Sequence, residues 1–307
     1  MSDLADIVAE VADEITANAA RIEREADAKE PDAAPGPLGI AVVLKDGQVL
    51  RGGDTATRFP IQSISKVFAL ELALCSLGDA VFDRVGREPS GDPFNSIVEL
   101  ERKAGIPRNP FVNAGALVTV DMVVEHGDAA GPNGAVVDLI AHQLGQHDVP
   151  LDEEVLESET SGGDLNRAML SFMKHHGNLH GDPDLVLRRY VAQCAVSLDC
   201  TDLARAGLFL TRTRLGEDQE RATRMRHLLA LMMTCGHYDA SGDFALRVGL
   251  PAKSGVGGGI LAIAPEVASI AVWSRNLDQN GNSIQGVHAL EMLAARTGWS
   301  VFGPPCA

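Results

Sequence analysis

Arg58-Phe59-Pro60-Ile61-Gln62-Ser63-Ile64-Ser65-Lys66-Val67-Phe68-Ala69-Leu70 is the stretch around which the rest of the chain is organised. A proline precedes a helical pattern, and the apolar run from Val67 to Leu77 is interrupted only by Glu71 and Ser76 before Gly78 stops it. Positions i and i+3 share a helix face, so the Ser63 hydroxyl and the Lys66 amine can meet, whereas Ser65 points elsewhere. A serine in the first turn of a buried helix sits at the positive end of the macrodipole, where developing negative charge is favoured. A lysine one turn deeper on an apolar helix is desolvated, which pushes it toward the neutral amine that takes a proton. This is the Ser-x-x-Lys arrangement of serine acyltransferases. A second copy, Ser171-Phe172-Met173-Lys174, reads as the middle of an amphipathic helix with neither cap nor breaker before it. Only the first copy has the setting of a nucleophile.

The 307 residues, 45% hydrophobic and 22% charged, describe a globular protein with ample core. A formal net charge of −16 argues against nucleic acid and anionic membrane surfaces as partners. No apolar run approaches the ~18 residues of a membrane span. The N-terminus, Met1-Ser2-Asp3-Leu4-Ala5-Asp6, is acidic where an export signal needs a basic region. Five cysteines (Cys75, Cys194, Cys200, Cys235, Cys306), odd in number and without a close pair, fit unpaired thiols in a reducing compartment. A cytoplasmic location is therefore expected. The nine histidines include His175-His176 and a pair four apart, His176 and His180, but without a clustered acidic partner in the sequence around them, so neither a metal nor another cofactor is implied.

Leu4, Ile7, Val8, Val11 and Ile15 recur at helical spacing and predict an N-terminal amphipathic helix within residues 1–30, ended by the linker-like Pro31–Pro37. Leu38–Leu44 reads as a buried strand, and Lys45-Asp46-Gly47 turns it into Gln48-Val49-Leu50. From Gly78 to about Cys235 the pattern is helix and loop. Ile260–Ala264, Pro265-Glu266 and Val267–Trp273 read as strand, turn and strand, and a last helix runs from Ser283 to Arg296 before Gly298. Strands at both ends with helices between predict an α+β fold, its sheet assembled from both termini around a helical insertion. The expected subdivision of a single 1–307 domain is 37–78 with 241–307 as the α/β part and 79–240 as the helical part.

Four further stretches stand out. They are the polar loop Asn109-Pro110-Phe111-Val112-Asn113-Ala114-Gly115-Ala116, Glu157-Ser158-Glu159 followed by Asn166, the chain's two tyrosines Tyr190 and Tyr238, and Ala252-Lys253-Ser254-Gly255-Val256-Gly257-Gly258-Gly259. Each has a plain alternative: Asn113 as a helix cap, Glu159 as a solvated carboxylate, the tyrosines as packing residues, the glycine run as a hairpin bend. The glycine run is no phosphate loop, since no Gly-Lys-Ser/Thr follows it and no helix opens there.

Together, Pro60–Phe68, Asn113-Ala114-Gly115, Ser158-Glu159, Thr234-Cys235-Gly236 and Lys253–Gly259 closely resemble the bacterial serine-dependent glutaminases, in order and spacing, over roughly residues 38 to 302. The resemblance implies the β-lactamase/transpeptidase-like fold, an antiparallel sheet domain beside a helical one with the active site between them. It implies Ser63 as nucleophile and Lys66 as its lysine, with Asn113, Glu159, Asn166, Tyr190, Tyr238 and the backbone N–H of Val256 as substrate contacts. It further implies L-glutamine as substrate and a homo-oligomer, dimer or tetramer. Which of Lys66, Tyr190 and Tyr238 serves as base in each half-reaction stays open. The chain departs from the family at Leu165, where an arginine is usual, at His237, where methionine is common, and near Ala19–Glu25, which lacks the usual tyrosine and proline. Two rivals remain: a penicillin-interacting serine hydrolase, echoed by Lys253-Ser254-Gly255, and a non-catalytic protein that keeps the fold.

Overall fold

The computed structural model describes residues 3–91, 96–127, 131–214 and 218–303, without the side chains of 159–162; Cys306 lies outside the described residues. In chain order come α1 (Leu4–Glu25), β1 (Gly39–Leu44), β2 (Val49–Gly53), α2 (Ser65–Leu77), α3 (Asn113–Gly127), α4 (Glu153–Gly162), α5 (Asp164–His175) and α6 (Pro183–Cys194). They are followed by α7 (Cys200–Ala206), α8 (Gln219–Cys235), β3 (Ala252–Ser254), β4 (Gly259–Ala264), β5 (Ala268–Trp273) and α9 (Ile284–Thr297), with further elements interspersed. The chain forms two compact units, Met1–Ile64 with Leu198–Ala307, and Ser65–Ser197.

The first unit carries the sheet, in the order β2-β1-β5-β4-β3, with every neighbouring pair antiparallel. Both chain ends build it, as expected: Val42 of β1 stands opposite Leu50 on one side and Ile270 on the other. Asp46-Gly47 makes the first hairpin, with Gly47 at φ +94°. Alternate side chains of a strand point to opposite faces. Ile40, Val42, Ile260, Ala262, Ile270 and Val272 share one core with Val8, Val11 and Ile15 of α1 and Leu290 and Leu293 of α9. The short α7 contacts β1 and β5, and Gly207 after it lies against Leu261 and Ser269. With both faces covered, β4 and β5 are buried throughout, which is why they read as unbroken apolar runs.

The N-terminal helix is thus part of this core. Each fully buried aliphatic side chain it contributes stabilises the unit by roughly 1.5–3 kcal/mol relative to exposure. The linker-like Pro31–Pro37 is fastened down as well. Asn276 Nδ2 donates to Glu23 Oε2 at 2.7 Å and to the Ala34 carbonyl at 3.0 Å. Gln285 Nε2 donates to Glu23 Oε1 at 2.6 Å and to the Gly36 carbonyl at 3.0 Å. Two neutral amides therefore satisfy a buried carboxylate and pin the proline segment together. The last helix has the caps its sequence calls for: Ser283 Oγ accepts from Gly286 N at 3.1 Å, and Gly298 ends it at φ +70°.

The second unit is helical. Its α2 packs against α3 and the 135–143 helix, and α3 against α6. An apolar helix covered in this way buries Phe68 and Leu70 and takes Lys66 in with them. Its division from the first unit falls at Ile64/Ser65 and Ser197/Leu198. The sequence-based subdivision lies at 78/79 and 240/241. The difference arises because α2 belongs with its helical neighbours, while α7 and α8 pack on the sheet. Among the described residues no helix is long and apolar enough to cross a membrane.

Candidate active site

Ser63 lies in a single 3₁₀ turn, Gln62–Ile64, and α2 begins only at Ser65. The nucleophile candidate therefore precedes the helix, where the sequence suggested its first turn. A tight turn closes here because Ile64 N donates to Ile61 O at 3.0 Å, and Gln62 takes the left-handed φ of +48°. Positive φ costs a non-glycine residue energy and gathers at functional sites. The Ser63 side chain is nearly buried.

In the helical unit Lys66 is 1% exposed, yet its charge-bearing end is satisfied. Nζ donates to Phe111 O at 3.1 Å and to Asn113 Oδ1 at 2.7 Å. Asn113 opens α3 where a polar loop was expected. Asn109 Oδ1 accepts from the backbone N–H groups of Phe111 and Val112, at 2.9 and 3.1 Å, and so closes the turn that starts the helix. Tyr190, 4% exposed on α6, donates its hydroxyl to the same Asn113 Oδ1 at 3.3 Å, with Lys66 Nζ 6.0 Å from its ring centre. Lys66, Asn113 and Tyr190 thus form one hydrogen-bonded group. Asn166 is buried on α5. Glu159 falls within α4, and its side chain lies outside the described residues.

In the sheet unit the glycine run is the turn of the β3–β4 hairpin, with Gly255 N donating to Gly259 O at 3.0 Å. A side chain on Gly255 would begin 2.6 Å from Ile61 O, and one on Gly257 2.1 Å from Pro60 O. Only glycine lets this turn lie against the backbone that leads into Ser63. Val256, between them, has an exposed side chain. Gly236 permits a similar approach nearby, since a side chain there would begin 1.8 Å from Ala252 O. Its carbonyl accepts from Ser254 N at 3.1 Å and from Lys253 Nζ at 3.0 Å. This close approach accounts for the glycine of Thr234-Cys235-Gly236.

Tyr238 follows at φ +54°, again left-handed. Lys253, fully buried, lies 4.5 Å from its ring centre. In the sequence Lys253 stands within a motif but without a role of its own; a lysine inside an otherwise apolar strand entrance was the available signal. His237 is buried, stacks on Phe244 with ring centres 3.6 Å apart, and has no hydrogen-bond partner for Nε2 among the described residues. Burial, and then the positive charge of Lys253, hold its pKa well below the ordinary histidine range.

Among the described residues one cluster has metal-ligand chemistry: Asp121, Glu125 and His180. Arg84 occupies it, with its guanidinium bonded to Asp121 and, at 3.1 Å, to Glu125. A fixed cation already does there what a metal would do. Among the described residues Cys75, Cys194, Cys200 and Cys235 form no disulfide.

Comparison with known proteins adds the following. The family model described as Glutaminase matches residues 31–302. The thermolabile glutaminase of Rhizobium etli is 52% identical over 273 residues, 88% of each chain. A probable glutaminase of Bacillus subtilis superposes with a TM-score of 0.82 at 32% identity, covering 95% of this chain and 97% of that one. A Bacillus subtilis glutaminase bound covalently to 5-oxo-L-norleucine, formed from 6-diazo-5-oxo-L-norleucine, superposes with a TM-score of 0.78 at 28% identity, covering 98% and 100%.

Proposed function

We propose that this chain, which belongs to the glutaminase family and is an amidohydrolase, hydrolyses the side-chain amide of L-glutamine through a γ-glutamyl ester on Ser63. The observation that carries the mechanism is the bonding of Lys66. A neutral lysine amine has two N–H donors and one lone pair. Phe111 O and Asn113 Oδ1 accept from Nζ and fix where the buried amine sits, and burial favours the neutral form that takes the Ser63 proton. Ser63 Oγ attacks the side-chain carbonyl, and the backbone N–H groups of Ser63 and Val256 hold the oxyanion, worth ~3–4 kcal/mol per donor. The C–N bond breaks, ammonia leaves with a proton returned by Lys66 or a tyrosine, and water cleaves the ester to release glutamate.

The rest of the substrate supplies its own demands. Its α-ammonium calls for a carboxylate, the role of Glu159, and its α-carboxylate for donors such as Asn113, Asn166 and the tyrosine hydroxyls. Asn113 gives its oxygen to Lys66 and Tyr190, so its amide N–H groups remain for an acceptor. The odd number of cysteines without a close pair supports a reducing, cytoplasmic setting, in which the chain works as a homo-oligomer. The covalent adduct of the Bacillus subtilis relative supports an enzyme nucleophile. Ammonia release from glutamine, with a penicillin as counter-substrate, tests the reading. Turnover of the penicillin and not of glutamine would replace it with the β-lactamase-like alternative.

A further inference from the structure

Lys29 looks like an ordinary exposed lysine at the end of the N-terminal helical segment. Its backbone is not free, however. Lys29 N donates to Leu277 O at 2.9 Å, Gln279 N to Asp27 O at 2.9 Å, and Gln279 Nε2 to Ala28 O at 3.0 Å. This short antiparallel pairing, centred on Ala28 and Asp278, fixes where the lysine starts. The partner strand then turns back at Gly281, whose φ is +93°. The point at which a side chain on Gly281 would begin lies 3.4 Å from Lys29 Nζ, 3.4 Å from Val256 Cγ1 and 3.7 Å from Tyr238 Cε2. The ammonium nitrogen and the Val256 methyl are therefore no more than twice the first distance apart. Among the described residues that ammonium group pairs with no carboxylate.

We propose that Lys29 is a specificity-determining cation at the end of the site where the amide is cleaved, and that it selects for the γ-carboxylate of the product. The inference rests on the reading of Val256 N–H as an oxyanion donor. Glutamine and glutamate share their α-groups and differ only in a neutral amide against a negative carboxylate. A full positive charge near that position discriminates between the two. Unit charges about 7 Å apart at a half-wet surface, with an effective dielectric constant of about 40–80, change an equilibrium roughly three- to eight-fold. Lys29 thus holds glutamate back and makes the enzyme sensitive to its own product.

The test is KM for glutamine and the inhibition constant for glutamate in the wild type, Lys29→Gln and Lys29→Arg, each in dilute buffer and in about 1 M salt. The expected result is an inhibition constant raised roughly three- to eight-fold in Lys29→Gln, with KM for glutamine nearly unchanged. Arginine should restore the wild-type ratio, and the difference should vanish in concentrated salt. A parallel shift of both constants, or an unchanged inhibition constant, would overturn the proposal. Failure of the underlying glutaminase reading looks different, because the wild type itself would then not turn over glutamine.

Discussion

Replacing His237 by methionine, the residue common at this position in the resembled family, should flatten the acid side of the stability curve. In the folded chain the ring is buried against Phe244, its Nε2 has no partner among the described residues, and Lys253 adds like charge. Its folded pKa is therefore well below the unfolded value of 6.5. Above that value both states carry a neutral ring and histidine has no effect on the slope. As pH falls below it, the unfolded chain takes up a proton that the folded one refuses, so stability is lost down to the folded pKa. The loss is about 1.4 kcal/mol per pH unit. The orphaned nitrogen adds a pH-independent penalty of roughly 1–3 kcal/mol. Urea unfolding of both proteins at about pH 8 and pH 5.5 separates the two effects, since every other titrating group, His288 included, is common to both. His237→Met should exceed the wild type by roughly 1.4 kcal/mol more at the lower pH than at the higher. An equal gap at the two pH values would refute the buried neutral imidazole.

Phenylalanine at Tyr190 or Tyr238 keeps the ring and its packing, so stability should change by no more than about 1 kcal/mol while turnover falls; kcat near wild type for both would reduce them to core residues. Gly257→Ala places a methyl 2.1 Å from Pro60 O and should push the turn off the Ser63 backbone. A fall in kcat of about a hundred- to a thousand-fold is expected, the loss of one oxyanion donor, and a change of only a few-fold would remove Val256 N–H from the mechanism. Glu159→Gln should lower kcat/KM for glutamine roughly ten- to hundred-fold yet hardly affect a slow amide of the same length without the α-amino group. Equal losses on the two substrates would make Glu159 a structural residue.

Much of this was legible in the sequence for specific reasons. The apolar runs at Ile260–Ala264 and Val267–Trp273 are long and bounded by turn residues, so a sheet shared with Leu38–Leu44 could be read from pattern; only the structure shows that Gly39–Leu44 pairs with Ala268–Trp273 and that strand in turn with Gly259–Ala264. Ala252–Ser254 did not show itself as a strand, because three residues holding a lysine and a serine carry no period; only the ladder to Ile260–Ala262 makes it one. The start of α3 was half legible: Asn113 read either as a helix cap or as part of a polar loop, and the turn that leads into the helix is closed by the Asn109 side chain, which accepts from Phe111 and Val112 across Pro110. The tight turn at Ser63 was likewise illegible, since a proline-led helix and a 3₁₀ turn share one sequence pattern. The grouping of Lys66, Asn113 and Tyr190 joins residues from three different helices, and composition cannot reveal such a meeting.

In the proposed mechanism Ser63 is the covalent nucleophile and Lys66 takes its proton. An electrophilic glutamine analogue such as 6-diazo-5-oxo-L-norleucine, which forms a covalent complex with the Bacillus subtilis relative, tests it by mass. One equivalent should add to the chain, on the peptide containing Ser63, and none to Ser63→Ala. A label that persists in Ser63→Ala, or that lands on Ser171 of the second Ser-x-x-Lys, would contradict the account.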